Sequence, residues 1–290
     1  MTVINAENLT KRYGDVEVLH GLTFSIDEKS IVLIMGPNGA GKSTLIKIIS
    51  GLTNRTSGNL SVLGEDPWKS EKIVRKVSLV LDKPFLPPYL KVSDLLNEFS
   101  KEFNFPISET KKLLEEFNLY HFLKNKFKEL STGTKQKLQI IFALMKNPEI
   151  IIGDEPTANM DITSRYEVYN MFMRLQEKGI TVLLASHLPA EVLAFATHVL
   201  AINNGILKYY GKVNNILRND FLEEFYIVVD NINKALEALK GFTVEVLGNQ
   251  IKIKGNIVEI IQRLNSKGVR IFYVRNSIID KSIQGEIGWE

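Results

Sequence analysis

The chain has 290 residues, 44% of them hydrophobic and 24% charged, with a net charge of +3 at pH 7. That length suits one large core, or one large and one small domain, and the charge is too small to argue for a nucleic-acid surface. There is no cysteine, which excludes a disulfide framework and thiolate metal sites and fits the cytosol; no apolar run approaches the ~18 residues of a membrane span, and no signal-peptide pattern opens the chain.

The N-terminal third predicts short strands at Thr2–Ile4, Val16–Leu19 and Leu22–Ile26, separated by polar turns. Tyr13 stands just before the turn residue Gly14, where a lone Tyr is ordinarily half-buried core. The apolar run Ile31–Met35 predicts a buried strand. It leads into Gly36-Pro37-Asn38-Gly39-Ala40-Gly41-Lys42-Ser43-Thr44, which fits G-x-x-x-x-G-K-[ST], the phosphate-binding P-loop. Behind it Leu45, Ile48 and Ile49 recur at helical spacing until Gly51. Glycines let the amides close around phosphate oxygens, and the helix N-terminus adds positive potential. Lys42 would reach the β- and γ-phosphates, and the Ser43 hydroxyl would take a Mg²⁺ position. An ordinary strand-to-helix turn would not need the full pattern with both flanks, so the chain is expected to bind a nucleoside triphosphate.

Strand-like pieces follow at Gly58–Leu63 and Val77–Leu81. The stretch 82–147 then changes character: Pro84, Pro87 and Pro88 precede helical patterns at Val92–Phe99, Ser108–Phe117 and Tyr120–Leu123. This predicts a helical insert between parallel strands. Its Phe85-Leu86-Pro87-Pro88-Tyr89 either packs on its own domain or meets a partner. Leu130-Ser131-Thr132-Gly133-Thr134-Lys135-Gln136 opens a helix with Leu138, Ile141, Phe142 and Met145 on one face, Ser131 as its cap, and Pro148 beyond its end.

Ile150-Ile151-Ile152-Gly153-Asp154-Glu155 predicts a buried strand that ends in two carboxylates. In a P-loop protein such charges suit metal binding and water activation rather than a merely solvated strand exit. Asp154 would hold Mg²⁺ with Ser43, and Glu155 would polarise the attacking water as general base. A helix over Thr163–Lys178 and a strand over Thr181–His187 follow. A lone His at a strand end is more often structural. Here the order of P-loop, Asp-Glu and His along successive strands brings it towards the crevice at their C-terminal ends.

Over residues 1 to about 215 the chain resembles the ATP-binding cassette (ABC) ATPases, specifically the stand-alone subunits of exporter-type transporters. The resemblance rests on the order of the P-loop at 36–44, the signature-like Leu130–Gln136, the block Asp154-Glu155-Pro156-Thr157, Asp161 in the following loop, and His187. The signature just before the carboxylate strand separates this family from P-loop kinases, GTPases and helicases. The resemblance implies that Tyr13 stacks on adenine and that the backbone of Gly36, Asn38, Gly39, Ala40 and Gly41, with Lys42, Ser43 and Thr44, holds phosphates and Mg²⁺. It makes Glu155 the general base and His187 the sensor of the γ-phosphate, and it adds Asp161 to the nucleotide site. Ser131 and Gly133 would contact ATP across a head-to-tail dimer of two cassettes. It also implies a cytoplasmic ATPase, peripheral on the inner face of the membrane, that powers a separate permease and needs no nucleic acid. A soluble cassette acting on nucleic acid or ribosomes is the alternative; a cassette that binds ATP without hydrolysing it is opposed by Glu155 and His187. Two departures stand out. Asp82 occupies the position where the family has a Mg²⁺-ligating Gln, and no Gln occurs before Gln136; Thr132 replaces the commonest Gly of the signature, with Thr134 and Lys135 after it.

The expected fold is therefore an α/β P-loop cassette with an N-terminal antiparallel β subdomain and a helical insert. The nucleotide-binding domain would span 1–216, with the insert at about 83–147, and an accessory domain 217–290. The latter predicts strands at Phe225–Val229, Phe242–Leu247, Gln250–Lys254 and Arg270–Val274, with helices at Asn231–Lys240 and Ile257–Ser266. That β-α-β-β-α-β order suggests a small ferredoxin-like fold used for interaction or regulation. The RNP1 signature of RNA-binding modules is missing. The tail around Ile278–Ile283 resembles the end segment of exporter-type subunits.

Overall fold

The computed structural model describes residues 1–83, 86–186, 189–213, 224–248, 250–255 and 257–275. The expected His187, Phe85, tail 278–283 and domain boundary near 216 lie outside the described residues.

Strands β1 (Thr2–Tyr13) and β2 (Val16–Asp27) pair antiparallel as long strands of 12 residues each, where the sequence predicts three short ones. The reason is bulging. Asn8 and Gly21 take positive φ of 50° and 75°, and the pairing slips between Ala6 and Leu9, so the period-two alternation breaks without ending the strand. Adding β4 (Ser57–Val62) gives a sheet in the order β2-β1-β4.

The main sheet has six strands in the order β5-β6-β7-β3-β8-β9: Val77–Leu81, Ile150–Asp154, Thr181–Ala185, Ile31–Met35, His198–Asn203 and Ile206–Lys212. All neighbours are parallel except the β8–β9 hairpin. Both faces are covered, which is why these strands are unbroken apolar runs. β3 sends Ile31, Leu33 and Met35 into one core and Val32 and Ile34 into the other. The first core is closed by the insert helices α3 (Val92–Glu102), α4 (Ile107–Glu116) and α5 (Thr132–Leu144) and by α6 (Ile162–Glu177); the second is closed by α1 (Lys42–Ile49) and the antiparallel sheet. The pattern at Tyr120–Leu123 closes only as a 3-10 turn over Tyr120–Phe122. The short helix α2 (Glu71–Lys76) has one buried residue, Ile73, and so leaves no periodic signal. Helix α7 (Pro189–Leu193) follows β7.

Strands β10 (Glu224–Val229), β11 (Thr243–Leu247), β12 (Gln250–Lys254) and β13 (Ile271–Arg275) form an antiparallel sheet in the order β11-β12-β10-β13. With helices α8 (Ile232–Ala238) and α9 (Ile257–Ser266) this is the ferredoxin-like arrangement. Its own core includes Phe225, Ile227, Ile251, Ile253 and Leu264. Among the described residues no helix is long and apolar enough to cross a membrane.

Candidate functional site

The P-loop runs from the end of β3 into α1. Gly41 is the residue before the helix, at φ +106°, and a Cβ there would lie 2.6 Å from Leu19 Cδ2. Only glycine meets both conditions. The loop is tied from outside as well: the amide of Gly205 donates to the Ala40 carbonyl at 3.1 Å, from the β8–β9 turn. That turn is Asn204-Gly205, both with positive φ, a hairpin signal the sequence analysis passed over.

Lys42 is almost wholly buried and donates through Nζ to the Gly36 carbonyl at 2.7 Å and to the Pro37 carbonyl at 3.2 Å. Burial lowers its pKa from the ordinary lysine value, against the opposing pull of the Glu155 and Asp154 charges. The Ser43 hydroxyl faces Asp154 Oδ1 at 3.4 Å. Asp154 ends β6, in register with Leu81 of β5 and Ala185 of β7. Glu155 then turns out of the strand at φ +53°, with its amide donating to the Ala185 carbonyl at 3.1 Å. A non-glycine residue in that region carries about 1–3 kcal/mol of strain, which persists only where the surroundings impose it. The turn brings Glu155 to the wall of a cavity of about 360 Å³, shared with Val18, Asn38 to Thr44 and the glycine backbone between them. Lys42, Ser43, Asp154 and Glu155, far apart in sequence, thus meet at the C-terminal ends of parallel strands. Val18 is the lining residue that sequence analysis missed; on a bulged strand it carries no motif.

The remaining predicted residues lie elsewhere. Tyr13 is 47% exposed at the end of β1, with the Lys11 ammonium 4.6 Å from its ring centre, and does not line the cavity. Ser131 caps α5 as expected, accepting from the Thr134 amide at 3.1 Å. Asp161 caps α6, accepting from the Ser164 amide at 2.9 Å and hydroxyl at 2.6 Å, and these bonds hold its carboxyl below the usual carboxylate range. Gly133 is buried at the contact between these two helix starts, where a Cβ would stand 2.8 Å from Ser164 Oγ and 2.9 Å from its Cβ. Its smallness is therefore required within the chain, apart from any contact across a dimer. Gly133→Ala is expected to lower the thermal midpoint by several degrees through about 1–3 kcal/mol of overpacking. Calorimetry checks this, and an unchanged midpoint would contradict the packing argument. Asp82 is exposed just past Leu81, one step beyond the residue paired with Asp154; the buried Gln136 anchors that strand end by donating to the Leu81 carbonyl at 2.8 Å.

A second cavity, of about 330 Å³, shares no residue with the first. It opens between the end of α1, β5 and the insert, lined by Leu52, Val74, Leu79, Leu86, Phe99 and Phe142 among others. Leu52 and Val74 stand largely exposed at its rim.

Comparison with known proteins places these features in context. The family model described as ABC transporter matches residues 19–158. The linearmycin resistance ATP-binding protein LnrL of Bacillus subtilis is 35% identical over 208 residues, covering 70% of this chain and 67% of that protein. The zinc import ATP-binding protein ZnuC of Wolbachia sp. subsp. Brugia malayi is 31% identical over 226 residues, covering 78% and 89%. A solved structure described as the ATP-binding subunit of an ABC transporter superposes with a TM-score of 0.67 at 28% identity, covering 76% of this chain and 94% of that one.

Proposed function

The chain belongs to the ABC transporter family as an ATP-binding ATPase subunit that powers membrane transport, and from that premise we propose how its residues do so. ATP occupies the P-loop cavity, with its phosphates on the amides of residues 36–44 and on Lys42 and its adenine against Tyr13. Ser43 and Asp154 offer hard oxygen donors of the kind Mg²⁺ takes, already 3.4 Å apart. Asp82 extends that donor set from the neighbouring strand. Mg²⁺ held there would neutralise charge on the phosphate oxygens. Glu155 accepts the proton of the attacking water, and His187 senses the γ-phosphate. Ser131 and Gly133, at the contact of α5 with α6, face the nucleotide of a second copy in a head-to-tail dimer, and Asp161 at the start of α6 belongs to the nucleotide site. The observation that carries this reading is the meeting of Lys42, Ser43 and Glu155 around one cavity, with Asp154 beside Ser43 at 3.4 Å.

The subunit works on the cytoplasmic face of the membrane against a separate permease, which seats an apolar cytoplasmic segment in the cavity rimmed by Leu52 and Val74. Transport runs outward. The resistance function in the name of LnrL favours export, although the name of ZnuC records import. Mild crosslinking in native cells, followed by pull-down and mass spectrometry, is expected to recover a multi-span membrane protein. Recovery with ribosomes or nucleic-acid proteins would overturn the transport reading and leave only the ATPase chemistry.

Asp82 makes its own prediction. If it is a poorer counterpart of the family's Gln, Asp82→Gln preserves or raises Mg²⁺-dependent ATP turnover. A collapse in rate would show instead that the carboxylate is a required ligand.

A further inference from the structure

An ion pair lies buried between the start of α6 and the short helix α7. Arg165 Nη2 donates to Glu191 Oε1 at 2.9 Å, with the two side chains only 15% and 4% exposed. The same guanidinium donates through Nη1 to the Met160 carbonyl at 3.1 Å. One side chain therefore binds both α7 and the loop that follows Glu155. One turn further along α6, Tyr169 is completely buried, and its hydroxyl lies 2.9 Å from Thr157 Oγ1; burial first, and the Glu191 charge second, raise its pKa. Thr157, itself buried, belongs to the block Asp154-Glu155-Pro156-Thr157. Two polar links therefore hold the loop after Glu155: Tyr169 of α6 meets Thr157 near its start, and Arg165 joins Met160 at its end to Glu191 of α7.

Stability alone is a poor reason for this arrangement. Burying two charges costs about as much as their attraction returns, and well-packed apolar residues of similar volume commonly serve as well or better. What the pair supplies is direction: a planar fork with fixed donor geometry, holding two backbone segments in one relative position. On the outer side, Tyr166 of α6 and Ala194 just past α7 both pack against the ferredoxin-like core. Glu155 needs such a hold. It sits in a left-handed turn that the chain would not adopt unaided, with its amide donating to the Ala185 carbonyl on β7 and its carbonyl accepting from the Ala158 amide at 3.0 Å within the same loop.

We propose that Arg165 and Glu191 are positioning residues for ATP hydrolysis, locking the loop 155–160 to α7 so that the Glu155 carboxylate keeps its aim into the phosphate cavity. The proposal rests on the reading of Glu155 as general base. It touches neither the phosphates nor the metal, so it concerns turnover and not nucleotide affinity.

The test is steady-state hydrolysis by the full chain with ATP and Mg²⁺. Removing one partner alone would strand a buried charge and endanger the fold, so the principal variant is the double replacement Arg165→Met with Glu191→Leu. Glu191→Gln, which keeps shape and hydrogen-bonding capacity, is the conservative second variant. A loosened base costs up to about a hundredfold in rate for about an ångström of misplacement. The double variant is therefore expected to lose about ten- to a hundredfold in kcat, with KM for ATP within about twofold, and Glu191→Gln to recover part of that loss. An unchanged kcat in the folded double variant, or a raised KM at unchanged kcat, overturns the proposal. The same double replacement in a Glu155→Gln background separates the two readings. If the pair acts through Glu155, it costs nothing further there, because residues acting as a unit are non-additive. A further loss of the same size would show that the pair acts elsewhere, while full activity of Glu155→Gln alone would sink the general-base reading itself.

Discussion

Glu155→Gln is expected to reduce ATP turnover by about two to four orders of magnitude, the usual contribution of a positioned general base, while leaving ATP affinity within about twofold. The argument is geometric. Glu155 lines the P-loop cavity, but the groups proposed to cradle phosphate are the loop amides and Lys42, which the substitution leaves in place. Glutamine is nearly isosteric with glutamate and imposes no new demand on the φ +53° turn, so the loop survives. Only proton acceptance is lost. Because ATP still binds but is not consumed, the nucleotide-bound, closed form should accumulate, as a dimer if two cassettes share their nucleotides. Phosphate release gives the rate, and a sizing column run with ATP and Mg²⁺ gives the assembly. Turnover near the wild-type rate would remove Glu155 from the chemistry, and a monomer under those conditions would count against the shared site.

The centre of this fold was legible because its constraints are local. The P-loop must be glycine-rich where φ is positive and where the backbone passes Leu19, and the buried strands around it must be apolar on both faces. These requirements write themselves into consecutive residues. The ferredoxin-like order was legible for a similar reason, since its elements are short and cleanly separated. The N-terminal sheet was not, because bulges at Asn8 and Gly21 interrupt the alternation by which strands are recognised. Gly133 shows a further limit. As a motif residue it points to a partner's nucleotide, yet its burial against Ser164 is a packing demand that no single stretch of sequence displays. The Arg165–Glu191 pair is the extreme case: it spans 26 positions, and one partner sits on a short helix with little periodic signature.

Lys42→Ala is expected to weaken ATP binding by about ten- to a hundredfold. A hydrogen bond to a charged group contributes about 1.5–3 kcal/mol, and each ~1.4 kcal/mol is tenfold in affinity. Calorimetric titration measures it directly, and an unchanged affinity would undermine the P-loop assignment. This ammonium is buried against the Gly36 and Pro37 carbonyls, with its pKa lowered mainly by burial. A phosphate anion favours the charged form and raises that pKa again, so binding takes up a proton wherever the free protein has begun to lose it. Affinity should thus be level at pH values below the lowered pKa of Lys42 and fall as pH rises through it. Stability of the unliganded protein has the opposite sign. Between the lowered folded value and the unfolded lysine value the unfolded chain binds more protons, so this group's contribution to stability rises with pH across that window. Lys42→Arg separates charge from proton exchange, since arginine stays protonated throughout the range. It should bind less well than lysine because the planar fork fits the loop poorly, but its affinity should lose the alkaline decline. If the decline persists in Lys42→Arg, the titrating group is not Lys42, and the electrostatic account of the phosphate cavity must be redrawn around another residue.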